Sequence, residues 1–115
     1  MNGLHFNFRG EEKRLKYYIG KFFTAIQNKD YEVAYNLLSS GYKKNYFTSY
    51  EDFEEYAKET YGISTVLTYE DIQREGELYI VKINVSISQG KTNKLTQTFI
   101  VKENNFNDYE LAFSK

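Results

Sequence analysis

The 115-residue sequence contains no cysteine, no proline and a single histidine. The lack of cysteine excludes disulfides, thiolate nucleophiles and cysteine-containing zinc sites. No stretch approaches the roughly 20 apolar residues of a membrane-spanning helix. The first ten residues lack the apolar core of a signal peptide. Two compartments therefore stay open: the cytoplasm, or the outside of a bacterial membrane if an anchor lies beyond this sequence.

The charge balance gives no sign of a polyanionic partner. Fifteen Lys and Arg stand against sixteen Asp and Glu, for a formal net charge of −1. A nucleic-acid-binding domain usually carries a basic stripe or a strongly positive charge. The short basic clusters at residues 13–16 and 43–44 both adjoin acids, which is typical of solvated helix faces. We therefore expect no nucleic-acid partner.

Aromatic residues are abundant among the apolar residues of this chain. The sequence has twelve Tyr and nine Phe, and aromatics make up 18% of the residues. Each aromatic side chain can bury roughly 150–250 Å², so a small domain can build a core from them. A buried tyrosine hydroxyl needs a hydrogen-bond partner. The composition predicts a core with polar edges, or a pocket lined by tyrosine.

The first half of the chain has helical periodicity. Apolar residues recur at helical spacing from Leu15 to Ile26, which predicts one buried stripe. Thr48 and Glu51 have the spacing of a capping box that would open a later helix. The predicted helices are residues 11–28, 31–39 and 48–61, with a short turn or a single helical turn at 42–47. Residues 1–10 are predicted to be a lead-in to a single domain spanning 11–115.

After Gly62 the hydrophobic period changes from helical to two. Alternation is clearest from Tyr79 to Ile87, where every second residue is apolar. The predicted strands are residues 63–73, 78–88, 94–102 and 108–113, the first of them irregular around Glu70 and Asp71. Helices followed by strands predict an α+β fold: three N-terminal helices packed on an antiparallel sheet of about four strands.

Three segments carry a resemblance to a known superfamily. Residues 22–38 resemble the opening of the nuclear transport factor 2-like (cystatin-like) domains. Residues 45–61 and 109–114 resemble in particular the domains at the ends of anchored surface proteins of low-GC Gram-positive bacteria. The resemblance implies a curved sheet that wraps a long first helix into a cone with a pocket. Members include enzymes, binding proteins and accessory domains of envelope proteins, so the fold does not decide the function.

If the chain were an enzyme of that superfamily, the resemblance would imply a catalytic Asp/His or Asp/Tyr pair inside the cone. The face from Tyr79 to Ile87 offers no acid or histidine, and Gln97 is the only polar residue on the next inward face. His5 lies in the predicted lead-in. The acids between Glu51 and Glu59 fall off the buried stripe and are interpreted as solvated. We therefore predict no catalytic residues, no metal site, no cofactor and no enzymatic activity.

The candidate ligand site is a pocket between the helices and the sheet, rimmed by Tyr42, Tyr46, Phe47 and Tyr56. Aromatic rims suit glycan, peptide or apolar ligands. A second candidate surface is the outer face of the sheet, predicted to be polar and able to form a homodimer. Its predicted residues are Lys82, Asn84, Ser86, Ser88, Thr96 and Thr98.

These patterns favour a non-enzymatic accessory or interaction domain of a bacterial envelope protein, which binds a protein partner or a cell-wall component. One alternative is a small-ligand-binding or degenerate enzyme-like cone with a tyrosine-lined pocket. The other is a complete cytoplasmic interaction protein.

Overall fold

The computed structural model describes residues 9–114 of the chain. Most of the predicted lead-in, including His5, lies outside these described residues. Four helices precede four strands, so the fold is α+β with the predicted order of elements. The helices are α1 (Arg9–Gln27), α2 (Tyr31–Asn36), α3 (Ser40–Tyr46) and α4 (Tyr50–Tyr61). The strands are β1 (Ser64–Glu75), β2 (Leu78–Ser88), β3 (Lys94–Glu103) and β4 (Tyr109–Phe113).

Helix α1 is the long helix at the centre of the fold. Glu11 and Glu12 occupy its first turn, where negative charge interacts favourably with the helix dipole. The predicted apolar stripe is its buried face, with Leu15, Ile19 and Phe22 fully inaccessible to solvent. Helix α1 therefore presents one apolar face to the rest of the domain, as its periodicity predicts.

The segment at residues 42–47 belongs to a helix of its own, so residues 9–114 contain four helices. Helix α3 begins at Ser40, and the hydroxyl of its N-cap Ser39 accepts a hydrogen bond from the backbone N–H of Tyr42 at 3.3 Å. This cap satisfies a backbone donor that the helix cannot pair internally. The short helix brings Tyr42 to the interior.

The predicted capping box of the last helix is wrong by one residue. The N-cap is Ser49, whose hydroxyl accepts from the backbone N–H of Asp52 at 3.1 Å. Thr48 instead donates its hydroxyl to the Asp52 carboxylate at 3.2 Å. Thr48 and Ser49 each carry a hydroxyl that can cap a helix. The direction in which the chain enters α4 makes Ser49 the N-cap.

The sheet is antiparallel, with the strands in the order β1-β2-β3-β4. Its register shifts between Tyr69 and Asp71, where the sequence predicts an irregular strand. Tyr69 pairs with Ile83 and Ile72 with Val81, so both lie on the inner face although they are three residues apart. A β-bulge adds one unpaired residue and bends the strand, which curves the sheet around the helices.

The inner face of the sheet and the four helices enclose one aromatic core. Phe22 lies near its centre and is fully buried. Its ring lies within 6.3 Å, centroid to centroid, of the rings of Phe23, Phe53, Tyr61, Phe99 and Phe113. Most of these pairs meet edge to face, which is a favourable geometry for aromatic rings.

Cationic side chains cover tyrosine rings at the border of this core. Arg14 lies 4.2 Å above the Tyr109 ring, and Lys43 lies 4.8 Å above the Tyr35 ring. The further pairs are Lys16 with Tyr69, Lys58 with Tyr31 and Arg74 with Tyr79. A cation over the face of an aromatic ring is attracted by the negative charge density of that face. These cations shield the tyrosines at the polar edges that the composition predicts.

Within residues 9–114, no helix combines the length and the apolar composition that crossing a membrane would require.

Candidate functional site

The structure brings the four predicted site residues together. Tyr42 and Tyr46 lie in α3, Phe47 follows it, and Tyr56 lies in α4. Their rings form a continuous chain: Tyr46 contacts Tyr42 at 4.9 Å, Tyr42 contacts Phe47 at 6.0 Å, and Phe47 contacts Tyr56 at 5.3 Å between centroids. We call these four residues the tyrosine cluster.

Phe113, at the end of β4, supports the tyrosine cluster from the sheet side. Its ring lies 5.0 Å from that of Tyr42, 6.2 Å from that of Phe47 and 5.8 Å from that of Tyr56. The Tyr42 hydroxyl also donates to the Phe113 backbone oxygen at 2.7 Å. No local sequence pattern links Phe113, at the end of the last strand, to the four residues of the tyrosine cluster.

The members of the cluster differ in exposure. Tyr42 and Phe47 are buried, Tyr56 is partly buried, and Tyr46 is 55% exposed. Tyr42 and Phe47 are therefore core residues that hold the cluster in place. Tyr46 offers the largest accessible ring surface of the four. The site is better described as an aromatic platform at the surface, with a rigid base, than as a ring of four equally exposed side chains.

A buried polar group lies beneath the platform. Gln97 on β3 is 1% exposed, and its Oε1 accepts from the Tyr61 hydroxyl at 2.6 Å. Its Nε2 donates to the Tyr56 hydroxyl at 3.3 Å and to the Ser114 backbone oxygen at 3.0 Å. The amide of Gln97 therefore uses both of its ends to tie α4 to the end of the chain. Within the described part of the chain, no buried side-chain polar atom lacks a partner.

Burial raises the pKa of the tyrosine hydroxyls in this region. Desolvation is the largest cause for Tyr42, Tyr56 and Tyr61, and the pKa of Tyr61 is raised well above its usual value. The charged phenolate would lose its hydration in this environment. These hydroxyls stay protonated at neutral pH; those of Tyr42 and Tyr61 donate hydrogen bonds, and that of Tyr56 accepts one from Gln97.

Carboxylates and histidine are absent from the buried residues that the structure describes. Gln97 is the sole buried polar residue there apart from tyrosines. Among residues 9–114, no group of three or more His, Cys, Asp or Glu side chains is arranged to hold a metal ion. The arrangement can bind a ligand by ring contact and by hydrogen bonds, and it offers no buried carboxylate or imidazole for proton transfer.

A polar recess that the sequence analysis missed lies where α1 begins. The Tyr79 hydroxyl donates to Glu11 Oε2 at 2.5 Å, and Arg74 pairs with the same carboxylate at 3.4 Å. With Glu103 and Asn104 these residues line a recess of about 270 Å³. Burial, and then the hydrogen bond to Glu11, raises the pKa of Tyr79. The residues come from helix α1, strands β1, β2 and β3 and the turn after β3, so no local spacing in the sequence predicts the recess.

The outer face of the sheet is less uniformly polar than the sequence predicts. Asn84 does lie there, where it accepts from the Thr96 hydroxyl at 2.8 Å and donates to Glu70. The same face carries Ile80 paired with Ile100, and Ile100 pairs with Ala112 on the next strand. Ile100 is 37% exposed. Residues 78–81 are consecutive apolar residues, so alternation does not separate the inner face of β2 from the outer face there.

Comparisons with known proteins assign the chain to no family. No protein-family model matches the chain, and no curated protein matches it. A solved structure that is similar to it is described as an NTF2-like protein of unknown function from Cytophaga hutchinsonii ATCC 33406. The two share 8% sequence identity, the match covers 84% of this chain and 87% of the other, and the TM-score is 0.45.

Proposed function

We propose that this chain is a non-enzymatic interaction domain of a bacterial envelope protein, and that the tyrosine cluster binds its partner, for which a cell-wall glycan is the first candidate. The observation that carries the proposal is the Tyr46 ring, which is 55% exposed and lies 4.9 Å from the buried ring of Tyr42. An exposed aromatic ring on a buried one is a platform for a flat apolar surface.

The rigid base of the platform supports a binding role. Tyr42 is held by its hydrogen bond to Phe113 and by ring contacts with Phe47 and Phe113. A side chain that is already fixed loses little conformational freedom when a ligand binds. Tyr42 therefore gives Tyr46 a fixed surface to lie against when the apolar face of a pyranose ring or a peptide side chain packs on it.

The raised pKa values support a role without catalysis. A tyrosine that transfers protons in catalysis works best when its pKa is shifted toward neutrality. Here burial raises the pKa of Tyr42, Tyr56 and Tyr61 away from neutrality. These tyrosines are suited to hold the fold and to donate hydrogen bonds.

The test is an NMR titration of the protein with soluble cell-wall muropeptides and, separately, with chitooligosaccharides. We expect shifts of the backbone amides around residues 42–47 and a tenfold or greater weakening in Tyr46→Ala. Tyr17→Ala is the matched control, because Tyr17 is a 63% exposed tyrosine on α1 outside the cluster. Equal affinity of wild type and Tyr46→Ala, or an equal loss in Tyr17→Ala, would refute the platform.

A second proposal is that the outer face of the sheet forms a homodimer. The row of Ile80, Ile100 and Ala112 across three strands favours it, because apolar side chains are enriched at the centres of homodimer interfaces. Ile100→Glu should convert such a dimer to a monomer in light scattering after gel filtration. A wild-type protein that stays monomeric at several hundred micromolar would remove this proposal.

A further inference from the structure

Of the five cations that lie over tyrosine rings in the described chain, four also pair with a carboxylate. These ion pairs are Arg14 with Glu103, Lys16 with Glu12, Lys58 with Glu54 and Arg74 with Glu11. The fifth cation is Lys43, whose nitrogen lies 4.8 Å from the centre of the Tyr35 ring. Among residues 9–114, no carboxylate forms an ion pair with Lys43. Its ammonium group therefore has a ring contact there but no counter-charge.

Lys43 lies beside the exposed ring of the tyrosine cluster. Both residues belong to α3, and Tyr46 follows Lys43 by three positions. Side chains at this spacing are neighbours on a helix surface, with roughly 5–6 Å between their Cβ atoms. Tyr46 is 55% exposed, and Lys43 is partly buried. A ligand that packs on the Tyr46 ring is therefore within reach of the Lys43 ammonium group.

The Tyr35 ring restricts the motion of Lys43. Tyr35 is itself held in place, because its ring contacts those of Tyr50 and Phe53 at 5.7 and 5.6 Å between centroids. Its hydroxyl also donates to the Phe47 backbone oxygen at 3.4 Å. A long side chain that is already restricted loses less conformational freedom when it pairs with a ligand. Lys43 is thus a preorganised cation at the edge of the tyrosine cluster.

The surroundings of Lys43 are not basic as a whole. The neighbouring helix α4 carries acids, of which Glu54 pairs with Lys58 at 2.8 Å and Asp52 accepts from the Thr48 hydroxyl at 3.2 Å. A diffuse positive field would therefore not select an anion at this surface. Selection requires a direct pair with the Lys43 ammonium group, because exposed charges farther apart than roughly 10 Å are screened by salt.

We propose that the ligand of the tyrosine cluster is an anionic saccharide, whose ring packs on Tyr46 while a carboxylate or phosphate pairs with Lys43. This assignment rests on the binding role proposed above for the cluster and adds the charge of the ligand. An ammonium group is a compact point charge that pairs with either kind of anion. The ligand would give Lys43 the counter-charge that the other four cations have within the chain.

The test uses NMR titration with two matched pairs of ligands, which separate the charge from the sugar. Diacetylchitobiose is neutral, and N-acetylglucosaminyl-N-acetylmuramic acid adds a lactyl carboxylate to the same kind of disaccharide. N-acetylglucosamine is neutral, and its 6-phosphate is an anion. We expect wild type to bind the anionic member of at least one pair about two to ten times more tightly, the range for an ion pair at a partly exposed lysine.

Two lysine variants locate the origin of this preference. Lys43→Gln should abolish it and leave the affinity for the neutral ligand unchanged. Lys44→Gln is the matched control, because it removes the same charge from a residue on the other side of α3 from Tyr46. This control should keep the preference. Tyr46→Ala should weaken the binding of both members of each pair.

The outcomes distinguish the charge of the ligand from the existence of the platform. Equal affinity of wild type for the two members of each pair, with weaker binding of both in Tyr46→Ala, would overturn the role of Lys43 and leave the platform intact. An equal loss of preference in Lys43→Gln and Lys44→Gln would also overturn that role, because it would show a diffuse field. Absence of any binding that depends on Tyr46 would overturn the platform, and with it the anionic ligand.

Discussion

Tyr61 in α4 and Gln97 in β3 form a hydrogen bond of 2.6 Å inside the aromatic core, 36 residues apart in the sequence. Neither side chain is more than 1% exposed. The bond satisfies the hydroxyl of Tyr61 and one end of the Gln97 amide. It fixes α4 against the sheet at the level of the tyrosine cluster.

Gln97→Leu is expected to destabilise the protein by about 1–3 kcal/mol, because it leaves the buried Tyr61 hydroxyl without its acceptor. Urea unfolding gives the free energy of unfolding for the variant. Adding Tyr61→Phe to Gln97→Leu should produce less additional loss than Tyr61→Phe produces in wild type, since the pair is already broken. Gln73→Leu, at an exposed glutamine of β1, is the control and should change little. Strictly additive losses would show that the bond contributes nothing.

Truncation of two adjacent aromatic residues in the tyrosine cluster should lower the free energy of unfolding to very different extents. Phe47→Ala should cost about 3–5 kcal/mol of unfolding free energy, because Phe47 is 2% exposed and its removal leaves a cavity. Tyr46→Ala should stay within about 1 kcal/mol, because its ring is half exposed. Thermal and urea unfolding of both variants check this. Similar losses at the two positions would contradict the assignment of Tyr46 to the surface.

Gly62 and Gly90 should tolerate no side chain, since they bring the β2–β3 turn against the end of α4. A Cβ on Gly62 would lie 2.4 Å from the Ser88 backbone oxygen, and Gly62 has a φ of 60°. A Cβ on Gly90 would lie 3.0 Å from the Thr60 backbone oxygen. Gly62→Ala should therefore lower the free energy of unfolding by about 1–3 kcal/mol or more.

Gly20→Ala is the matched control for this prediction. Gly20 is inside α1 with open space around the Cβ position, so alanine should stabilise the helix by about 0.5–1 kcal/mol. The two variants are compared by their urea midpoints. A stabilising Gly62→Ala would show that the turn does not pack on α4 as described.

Alkaline pH should destabilise the protein through its buried tyrosines. Burial raises the pKa of Tyr69 to about 12 from an ordinary value of 10.0. The folded state then holds a proton that the unfolded state releases, so the contribution of Tyr69 is complete below pH 10 and is lost as the pH rises toward 12. Tyr69→Phe should flatten the fall in melting temperature between pH 10 and 12. Ultraviolet titration of tyrosinate should lose one late-titrating group in the same variant.

The local features of the fold, such as the strand bulge and the approximate position of the helix cap, could largely be predicted from the sequence. The bulge in β1 follows from three-residue spacing between Tyr69 and Ile72, both of which must face the core. The cap of α4 was missed by one residue because Thr48 and Ser49 are chemically equivalent candidates. The sequence grouped the residues of the candidate site but did not predict how exposed each one is. Tyr46 and Phe47 are adjacent and both aromatic, so the sequence does not distinguish the exposed ring from the buried one.

The sequence by itself determined the order of helices and strands and which face of each is apolar, because those properties depend on spacing between near neighbours. Only the tertiary structure decided that Tyr42 donates to the backbone of Phe113, 71 residues away, and that Phe106 stays outside the core. It also decided that Gln97 has Tyr61 as its partner. Hydrogen-bond partners and side-chain exposure of this kind depend on which residues, distant in the sequence, the folded sheet brings into contact. No local sequence pattern contains that information.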